Sequence, residues 1–422
     1  MQPSAPPARA DLGVPRRVLA AAVIGTVLEW YDFAIYAALA TVIGRLFFPS
    51  EDPAVSLLVT LGSYAVGFVC RPLGGIVFGR LGDRVGRRSM LAITMVVVGA
   101  ASLGIGLLPT YATAGVLAPA LLVALRMVQG LAVGAEWTGG ATFLIEYART
   151  GRRGLCSGIV QASTVAGFLL GTGTATVVVG GLAQDAVDSW AWRLPFLLGG
   201  VVAAVGLFVR LRLDESPVFV QAEDAPAPDG RTIRRNWLVL LGVVFGVTLC
   251  GYTATSFPAY LAGVTELPLP TALATNVVAL AIEVPLIVLA GALSDRVGRK
   301  PLMAAALVGF AVGTYPIFLL VTSGTYAGAL AGQILFVVLF ATVSGPMAAM
   351  FVELFPTRVR STAFSSSYNI GVAVFGGTAP FVNTLLATST GTPMAPAYYL
   401  TFGVVVSLLV LQAVRDRHAE AL

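Results

Sequence analysis

Residues 79–88 read GRLGDRVGRR and residues 291–300 read GALSDRVGRK, so one charged, glycine-containing string occurs twice in the chain. The two copies agree at seven of ten positions and lie 212 positions apart. Each copy follows the second long apolar segment of its half of the chain. A repeat at this spacing indicates that the chain consists of two similar halves.

The composition is that of a membrane protein. Hydrophobic residues make up 57% of the chain and charged residues only 11%, whereas about a quarter of a soluble domain is charged. The mean hydropathy is +0.87. Glycine pairs spaced four apart suit close packing of apolar helices, and they occur at Gly75/Gly79, Gly130/Gly134, Gly167/Gly171, Gly309/Gly313 and Gly328/Gly332.

Twelve apolar stretches are long enough to cross a bilayer, which needs about 20 residues of helix. We number these predicted segments 1 to 12: 17–44, 55–79, 89–108, 116–146, 155–182, 193–212, 236–263, 271–293, 301–322, 326–350, 360–386 and 396–414. The predicted domains are a disordered N-terminal tail (1–16), a six-helix bundle (17–212), a cytoplasmic linker (213–235), a second six-helix bundle (236–414) and a C-terminal tail (415–422).

The positive charges predict the orientation of these segments. Of the 26 Lys and Arg residues, 22 lie in the termini and in the connections that follow even-numbered segments. Because positive residues accumulate on the cytoplasmic side, both termini are predicted to be cytoplasmic. The net charge of +5 is therefore a topology signal, and we expect no nucleic-acid partner. The predicted fold is an all-α membrane protein of two pseudo-symmetric six-helix bundles.

Several strings resemble a known transporter family over essentially the whole chain. They are EWYDF (29–33), RPLGGIVFGRLGDRVGRR (71–88), RMVQGLAVGAEWTGG (126–140), WRLPF (192–196), LDESPVF (213–219) and ELFPTRVRSTAFSSSYNIG (353–371). The duplicated loop resembles the signature of the major facilitator superfamily, and the full set resembles its metabolite:proton symporter family. The resemblance implies proton-driven import of a small carboxylate-bearing metabolite by alternating access. An organic acid and a zwitterion such as proline or betaine both remain open.

Two acidic side chains lie midway along segment 1. Glu29 and Asp32 are three residues apart and Tyr36 is four further on, so all three share one helix face. A charge at this depth costs about 3 kcal/mol, and two adjacent carboxylates in a low dielectric do not both ionise readily. We predict that Glu29 or Asp32 carries the coupled proton; a structural salt bridge is the alternative. Glu136 is a further candidate proton carrier.

Two arginines lie inside apolar segments and are candidate ligands for a substrate carboxylate. Arg71 and Arg126 keep their charge and can hold a carboxylate with two hydrogen bonds. Arg126 lies deeper from both rims and is the preferred ligand, with Gln129 one turn further on. A structural ion pair with an acid of segment 1 is the competing interpretation. Glu283, deep in segment 8, is a candidate for binding or coupling.

Polar aromatic and amide side chains complete the predicted binding site. Tyr252, on a face with Phe257 and Tyr260, could contact a quaternary ammonium group through cation–π attraction. Packing against helices or lipid is the more ordinary role for such a face. Tyr368 and Asn369 supply polar groups at depth, where they would line a cavity or join helices by hydrogen bonds.

The family resemblance assigns a gate to the duplicated loops. It implies that Asp83 lies near the start of segment 11 and Asp295 near the start of segment 5, where a helix dipole stabilises a carboxylate. The predicted gate residues on the cytoplasmic side are Asp83, Arg84, Arg87, Glu146, Asp295, Arg299 and Glu353. Fixing the topology is the alternative role for the loop arginines.

Other functional classes are disfavoured. The only histidine, His418, lies in the C-terminal tail, and neither a catalytic triad pattern nor a phosphate-binding GxxxxGK[ST] string is present. Cys70, Cys156 and Cys250 are scattered, so no metal site is expected. The alternatives are a drug/proton antiporter of the same fold and, more remotely, a non-transporting membrane sensor. We expect a monomeric functional unit in the bacterial inner membrane, with the proton gradient as its energy source and no cofactor.

Overall fold

The computed structural model describes residues 16–75, 77–78, 87–134, 136–210, 229–265 and 267–420, and every regular element in these ranges is helical. The helices of the first half are α1 (Arg16–Ala38), α2 (Ala40–Phe47), α3 (Pro53–Val69), α4 (Arg87–Leu107), α5 (Tyr111–Ala114), α6 (Leu117–Val133), α7 (Glu136–Tyr147), α8 (Arg153–Gly181), α9 (Gln184–Ala186), a π-helical turn (Val187–Ala191) and α10 (Arg193–Arg210). Those of the second half are α11 (Gly230–Val264), α12 (Leu269–Val297), α13 (Arg299–Val321), α14 (Tyr326–Ser344), α15 (Met347–Glu353), α16 (Thr357–Gly371), a π-helical turn (Val372–Gly376), α17 (Ala379–Thr390) and α18 (Ala395–Leu411).

Helix lengths and composition agree with a membrane protein. In the described part of the chain, eight helices are long and apolar enough to span a bilayer, or ten if each of two bent pairs is one span. Two shorter apolar helices, Ala92–Leu107 and Ala395–Leu411, coincide with predicted segments 3 and 12. The all-helical class is confirmed, and the count of twelve spans stays a prediction.

The start of α11 differs from the predicted end of the linker. The helix begins at Gly230, inside the stretch 213–235 that was predicted to connect the bundles. The Asp229 side chain caps this end by accepting hydrogen bonds from the backbone N–H groups of Arg231 and Thr232, at 3.1 and 3.2 Å. A cap of this kind satisfies amides that have no partner inside the helix, so the polar residues after Asp229 continue the helix beyond its apolar part.

Glycine allows the helices of the first half to touch backbone to backbone. A Cβ at Gly130 of α6 would lie 1.8 Å from the carbonyl oxygen of Gly67 in α3. A Cβ at Gly167 of α8 would lie 2.6 Å from the carbonyl oxygen of Val27 in α1. Both contacts exclude any larger residue, which confirms the packing role predicted from the glycine spacing.

Several helix pairs join the two halves. The most extensive contact joins α8 of the first half to α12 of the second half, and the others include α8–α15, α7–α16, α7–α15, α1–α11 and α3–α17. Large apolar side chains also point outward around the bundle, for example Val177 and Val312, which are 72% and 76% exposed. In a bilayer such side chains face lipid, so the polar residues buried among the helices identify the interior where a site can form.

Candidate functional site

The predicted acidic face of α1 points into the interior of the first half. Glu29, Asp32 and Tyr36 are all buried, with 4%, 4% and 0% of their surface exposed. The i, i+3, i+7 spacing therefore places the three side chains together. Each has a different partner, so the two carboxylates occupy different electrostatic environments.

Glu29 forms a buried salt bridge with Arg71. The Arg71 Nη2 atom lies 2.7 Å from Glu29 Oε1, and both side chains are almost fully enclosed. The guanidinium lies 5.1 Å from the ring centres of Trp30 and Phe68. Its Nε and Nη1 have no hydrogen-bonding partner among the described residues. Arg71 therefore has donors to spare for a further anion.

Asp32 is bound by neutral groups. Ser102 donates a hydrogen bond to Asp32 Oδ1 at 2.6 Å, and the Gln129 amide donates to Asp32 Oδ2 at 3.0 Å. The Oε1 atom of Gln129 in turn accepts a hydrogen bond from Arg126 at 2.8 Å. Gln129 thus connects the carboxylate to the arginine through its own amide group.

Arg126 lies against aromatic rings. Its guanidinium is 3.9 Å from the ring centre of Tyr36, a distance that favours cation–π attraction. The Tyr36 hydroxyl is hydrogen-bonded to that of Ser63. The Nε and Nη2 atoms of Arg126 are buried with no hydrogen-bonding partner in the described ranges. Its positive charge is balanced only at a distance, by Asp32.

A small cavity lies between the halves, next to this cluster. Its volume is about 50 Å³, and residues of both halves line it. The lining residues are Trp30, Gln161, Thr164, Val165, Phe168, Val247, Thr248, Gly251, Tyr252, Ala254, Thr255, Leu280, Glu283, Phe340, Met347 and Tyr368. Buried polar atoms normally have hydrogen-bonding partners. Four lining residues nevertheless have a buried polar atom that makes no hydrogen bond to any described residue: Trp30 Nε1, Thr164 Oγ1, the Tyr252 hydroxyl and Glu283 Oε1. This unmet hydrogen-bonding capacity favours a ligand site.

The cavity brings together some predicted binding residues and omits others. Glu283, Tyr252 and Tyr368 line the cavity. Arg71 does not line it, but it contacts the lining residue Trp30 and the ring of Phe68, and Phe68 packs against the lining residue Tyr252. Arg126 contacts rings one layer further away, those of Phe33, Tyr36 and Tyr64. The sequence favoured Arg126 as the ligand of the substrate carboxylate, because Arg126 lies deeper in its apolar segment. The structure favours Arg71 for this role, because Arg71 lies closer to the cavity.

Three other predicted residues have structural contacts. The Asn369 amide donates hydrogen bonds to the carbonyl oxygens of Gly134 and Ser365, at 2.6 and 2.9 Å, and so joins the halves. Phe257 packs on the rings of Phe318 and Phe336, and the Tyr260 hydroxyl donates to the Pro393 carbonyl oxygen at 2.6 Å. On this aromatic face of α11, only Tyr252 reaches the cavity.

Sequence reasoning missed most of the aromatic wall. Trp30, Phe168 and Phe340 line the cavity but were not selected, because an aromatic residue in an apolar helix has the same sequence signature when it faces lipid. The position of Trp30, directly after Glu29 in the predicted acidic turn, was the one available signal.

Ion pairs and backbone contacts join the halves at the end of the bundle that carries Arg153, Arg299 and Arg360, here called the basic end. Asp295 accepts hydrogen bonds from the N–H groups of Gly154 and Leu155, at 2.8 and 2.9 Å. These amides belong to the first turn of α8, so the predicted position of Asp295 at the start of segment 5 is confirmed. Gly298, with φ of 97°, allows the turn between α12 and α13, which brings Arg299 back to within 2.9 Å of Asp295.

Two further acids complete this network. Glu353 lies 2.9 Å from Arg153 of the first half and 3.4 Å from Arg299. Glu146 of α7 pairs with Arg360 of α16 at 2.6 Å. Asp83 and Arg84 lie outside the described residues, and for Arg87 and Glu136 only the backbone, at the starts of α4 and α7, is described. The described contacts close the basic end.

The opposite end is closed by apolar contacts. Ala40, Leu57 and Leu61 of the first half pack with Ala259 and Phe381 of the second half. The one described ion pair at this rim, Arg45 with Asp188 at 3.0 Å, is exposed and lies within the first half. The two closures therefore differ in chemistry, one ionic and one apolar.

The apolar helices and the polar residues buried among them are those of a multi-pass membrane protein. The Major Facilitator Superfamily profile matches residues 22–380 and, in a second match, residues 270–421. The chain therefore belongs to the Major Facilitator Superfamily, and the resemblance drawn from its motifs is confirmed. The proton:xylose symporter XylE superposes with a TM-score of 0.79 at 17% identity, covering 95% of this chain and 96% of that one, which supports the fold.

Curated relatives are named as transporters of proline and betaine. The chain is 33% identical over 419 residues to the proline/betaine transporter of Escherichia coli (strain K12), covering 94% of this chain and 83% of the relative. It has the same identity and coverage with the glycine betaine/proline/ectoine/pipecolic acid transporter OusA of Dickeya dadantii (strain 3937). These matches identify the chain as a transporter and not an enzyme, in agreement with the sequence analysis.

Proposed function

We propose that this protein is a proton-coupled symporter that imports a small carboxylate-bearing metabolite, with a zwitterion of the proline/betaine kind as the favoured substrate. Alternating access would occur by rocking of two six-helix bundles in the bacterial inner membrane, with twelve spans and both termini cytoplasmic. The functional unit would be a monomer that uses the proton gradient and no cofactor. The observation that carries this proposal is the balanced charge cluster beside the cavity.

The charge balance of this cluster suggests how a proton and a substrate are coupled. Glu29, Asp32, Arg71 and Arg126 sum to zero when both acids are ionised. A proton on Asp32 leaves the cluster with one net positive charge, which an arriving carboxylate would neutralise. Because uncompensated charge is costly in a low dielectric, proton and carboxylate would bind more tightly together than separately. Asp32 is therefore our proposed proton carrier, ahead of Glu29 and Glu136.

Arg71 is the proposed partner of the substrate carboxylate. It contacts the cavity wall at Trp30 and has two unpaired donors. Arg126 would favour binding of the carboxylate through its positive charge, without direct contact. It would be held in place by Gln129 and by the ring of Tyr36. The carboxylate would then lie near the Tyr252 and Tyr368 hydroxyls.

The size of the cavity favours a small solute over a drug. The cavity between the halves has a volume of about 50 Å³. Pockets for drug-sized ligands span about 300–1,000 Å³, so the drug/proton antiporter is the less favoured alternative.

Uptake into proteoliposomes tests the proposal. The vesicles receive an inside-alkaline pH gradient and one labelled solute from a panel of α-ketoglutarate, succinate, citrate, shikimate, proline and glycine betaine. We expect accumulation of a zwitterion, abolished by a protonophore and absent from vesicles without the protein. No accumulation of any solute, combined with gradient-driven efflux of a hydrophobic cation, would replace symport by drug antiport.

A further inference from the structure

Glu283 is a buried carboxylate for which the described part of the chain shows no hydrogen-bonding or ion-pair partner. It lies on the cavity side of α12 and is 1% exposed. Its Oε1 atom has no hydrogen bond, and no ion pair to Glu283 occurs among the described residues. A buried carboxylate without a counter-charge is unfavourable by several kcal/mol, so a cation or a proton must balance it when the protein is at work.

The wall around Glu283 supplies no such cation. None of the residues that line the cavity is Lys, Arg or His, and Glu283 is the one acidic residue among them. Arg71 and Arg126, the arginines of the first-half charge cluster, are already associated with Glu29 and, through Gln129, with Asp32. The balancing positive charge therefore has to come from outside the chain.

Aromatic rings surround the same space. Trp30, Phe168, Tyr252, Phe340 and Tyr368 all line the cavity. The Trp30 ring centre is 5.4 Å from that of Phe168 and 6.3 Å from that of Tyr252. Aromatic faces attract alkylated ammonium groups, by about 0.5 kcal/mol when exposed to about 2 kcal/mol when desolvated. A metal ion that keeps its water shell cannot bring its charge into contact with these rings, so the rings favour an organic cation.

The local backbone keeps this wall compact. A Cβ at Gly251 of α11 would lie 2.8 Å from Cζ of the Phe340 ring. The absence of a side chain at Gly251 therefore leaves room for the Phe340 ring in the cavity wall.

We infer that Glu283, with the rings of Trp30, Phe168 and Tyr252, binds the ammonium group of the transported zwitterion and thereby selects zwitterions over simple carboxylates. The carboxylate would point to Arg71 of the first half and the ammonium group to Glu283 of the second half, so a charged residue of each half would recognise one end of the substrate. This inference rests on the proposed function and adds a specificity-determining residue to it.

A pair of isosteric solutes tests the role of Glu283. Glycine betaine and 3,3-dimethylbutyrate have the same shape, but the second has a carbon atom in place of the charged nitrogen. Each is tested as a competitor of labelled glycine betaine uptake in proteoliposomes. In the wild type we expect glycine betaine to compete at least about 30-fold better, because removing one partner of a buried charge pair costs about 2 kcal/mol or more.

Substitution of Glu283 should remove this preference. In Glu283→Gln, we expect the affinity for glycine betaine to fall at least about 30-fold, with that for 3,3-dimethylbutyrate unchanged or improved. Glu283→Asp, which keeps the charge, should retain a preference for the cation. For Glu283→Gln, binding of both solutes is measured directly on purified protein, so a loss of active uptake does not hide the result.

Several results would overturn the inference. An equal loss of affinity for both solutes in Glu283→Gln would make Glu283 a structural residue. Unchanged affinity with loss of gradient-driven accumulation would make it a proton carrier. If the Gln variant does not fold, a wild-type preference below about 30-fold, or a preference lost in Glu283→Asp, would also contradict it. Failure of the wild type to transport any zwitterion would instead contradict the proposed function itself.

Discussion

Glu29 and Asp32 of the first half and Glu283 of the second half are all buried, but their surroundings differ. Glu29 and Asp32 lie in a network with Arg71, Arg126 and Gln129. Glu283 lies on the cavity wall among aromatic rings with no partner among the described residues. The charges of the first-half cluster balance one another, whereas the unpaired carboxylate of Glu283 needs either a proton or an external cation. The comparison assigns proton coupling to the first half and cation recognition to the second half.

Removal of Arg71 should have the largest effect on the first half. In Arg71→Ala, Glu29 loses its salt-bridge partner, which we expect to cost about 3–5 kcal/mol of stability. Uptake should be abolished as well. Thermal unfolding of the purified protein and uptake in proteoliposomes measure the two effects.

The double variant Arg71→Ala/Glu29→Gln separates folding from binding. Removing both charges should recover most of the stability, because no unpaired charge is left in this pair. Uptake should stay absent if Arg71 binds the substrate carboxylate. Restored uptake in the double variant would make the pair purely structural.

Asp32→Asn should uncouple transport from the proton. The amide is permanently neutral and resembles protonated Asp32, so the positive charge of the cluster would persist at every pH. We expect exchange of labelled for unlabelled substrate to continue, while accumulation driven by a pH gradient falls to the equilibrium level. Asp32→Glu serves as the control that keeps a titratable group. If Asp32→Asn still accumulated substrate in a pH gradient, Asp32 would not be the proton carrier, and Glu29 or Glu136 would take that role.

The sequence predicted the first-half cluster better than the cavity. Helical spacing was sufficient to place Glu29, Asp32 and Tyr36 on one face. The choice of partners was not predictable, because Arg71 and Arg126 lie on different helices and only tertiary packing decides which of them reaches Glu29. The resemblance located Asp295 at the start of α8 because the duplicated loop fixes its position relative to α12.

The cavity wall was less accessible to sequence reasoning. Glu283 was identifiable because an acid in an apolar helix is rare. Phe168 and Phe340 were not, because nothing in an apolar sequence separates a ring that faces a cavity from one that faces lipid. The early start of α11 was also missed, since Asp229 acts as a cap within a stretch whose composition is that of a linker.

Loss of the Asp295 contact between the halves should have a moderate effect on the closure of the basic end. Asp295→Asn weakens a carboxylate at a helix N-terminus by about 1 kcal/mol, which corresponds to a roughly fivefold shift toward states open at the basic end. Cys156, buried two residues after Gly154, reports this opening through its reaction with a maleimide in a Cys70→Ser/Cys250→Ser background. We expect faster labelling in Asp295→Asn.

A matched control for this prediction lies at the opposite end. Asp188 pairs with Arg45 at an exposed position within the first half, so Asp188→Asn should not change the labelling of Cys156. Equal labelling in Asp295→Asn and its parent would show that this contact does not hold the basic end closed.

Loss of the Asp416 contacts in the C-terminal tail should have the smallest effect on the protein. Burial disfavours the charge of Asp416, but hydrogen bonds from the backbone amides of Lys300 and His418 outweigh it and lower the pKa of Asp416. These hydrogen bonds hold the C-terminal tail against the start of α13. Because the pKa of Asp416 is lowered in the folded protein, their stabilisation is fully present above the ordinary aspartate pKa of about 3.9. It is lost as the pH falls through the folded-state pKa. Hydrogen exchange at Lys300 should therefore be slow at neutral pH and faster in Asp416→Asn. Equal exchange in both would contradict this docking contact.

The pH dependence of glycine betaine binding separates the roles assigned to the two halves. The dissociation constant would be measured on purified protein from acidic to alkaline pH for the wild type, Asp32→Asn and Glu283→Gln. We expect affinity to fall with rising pH in the wild type, to be independent of pH in Asp32→Asn, and to be weaker at every pH with the same slope in Glu283→Gln. A slope that persists in Asp32→Asn and disappears in Glu283→Gln would contradict this assignment and make Glu283 the proton carrier.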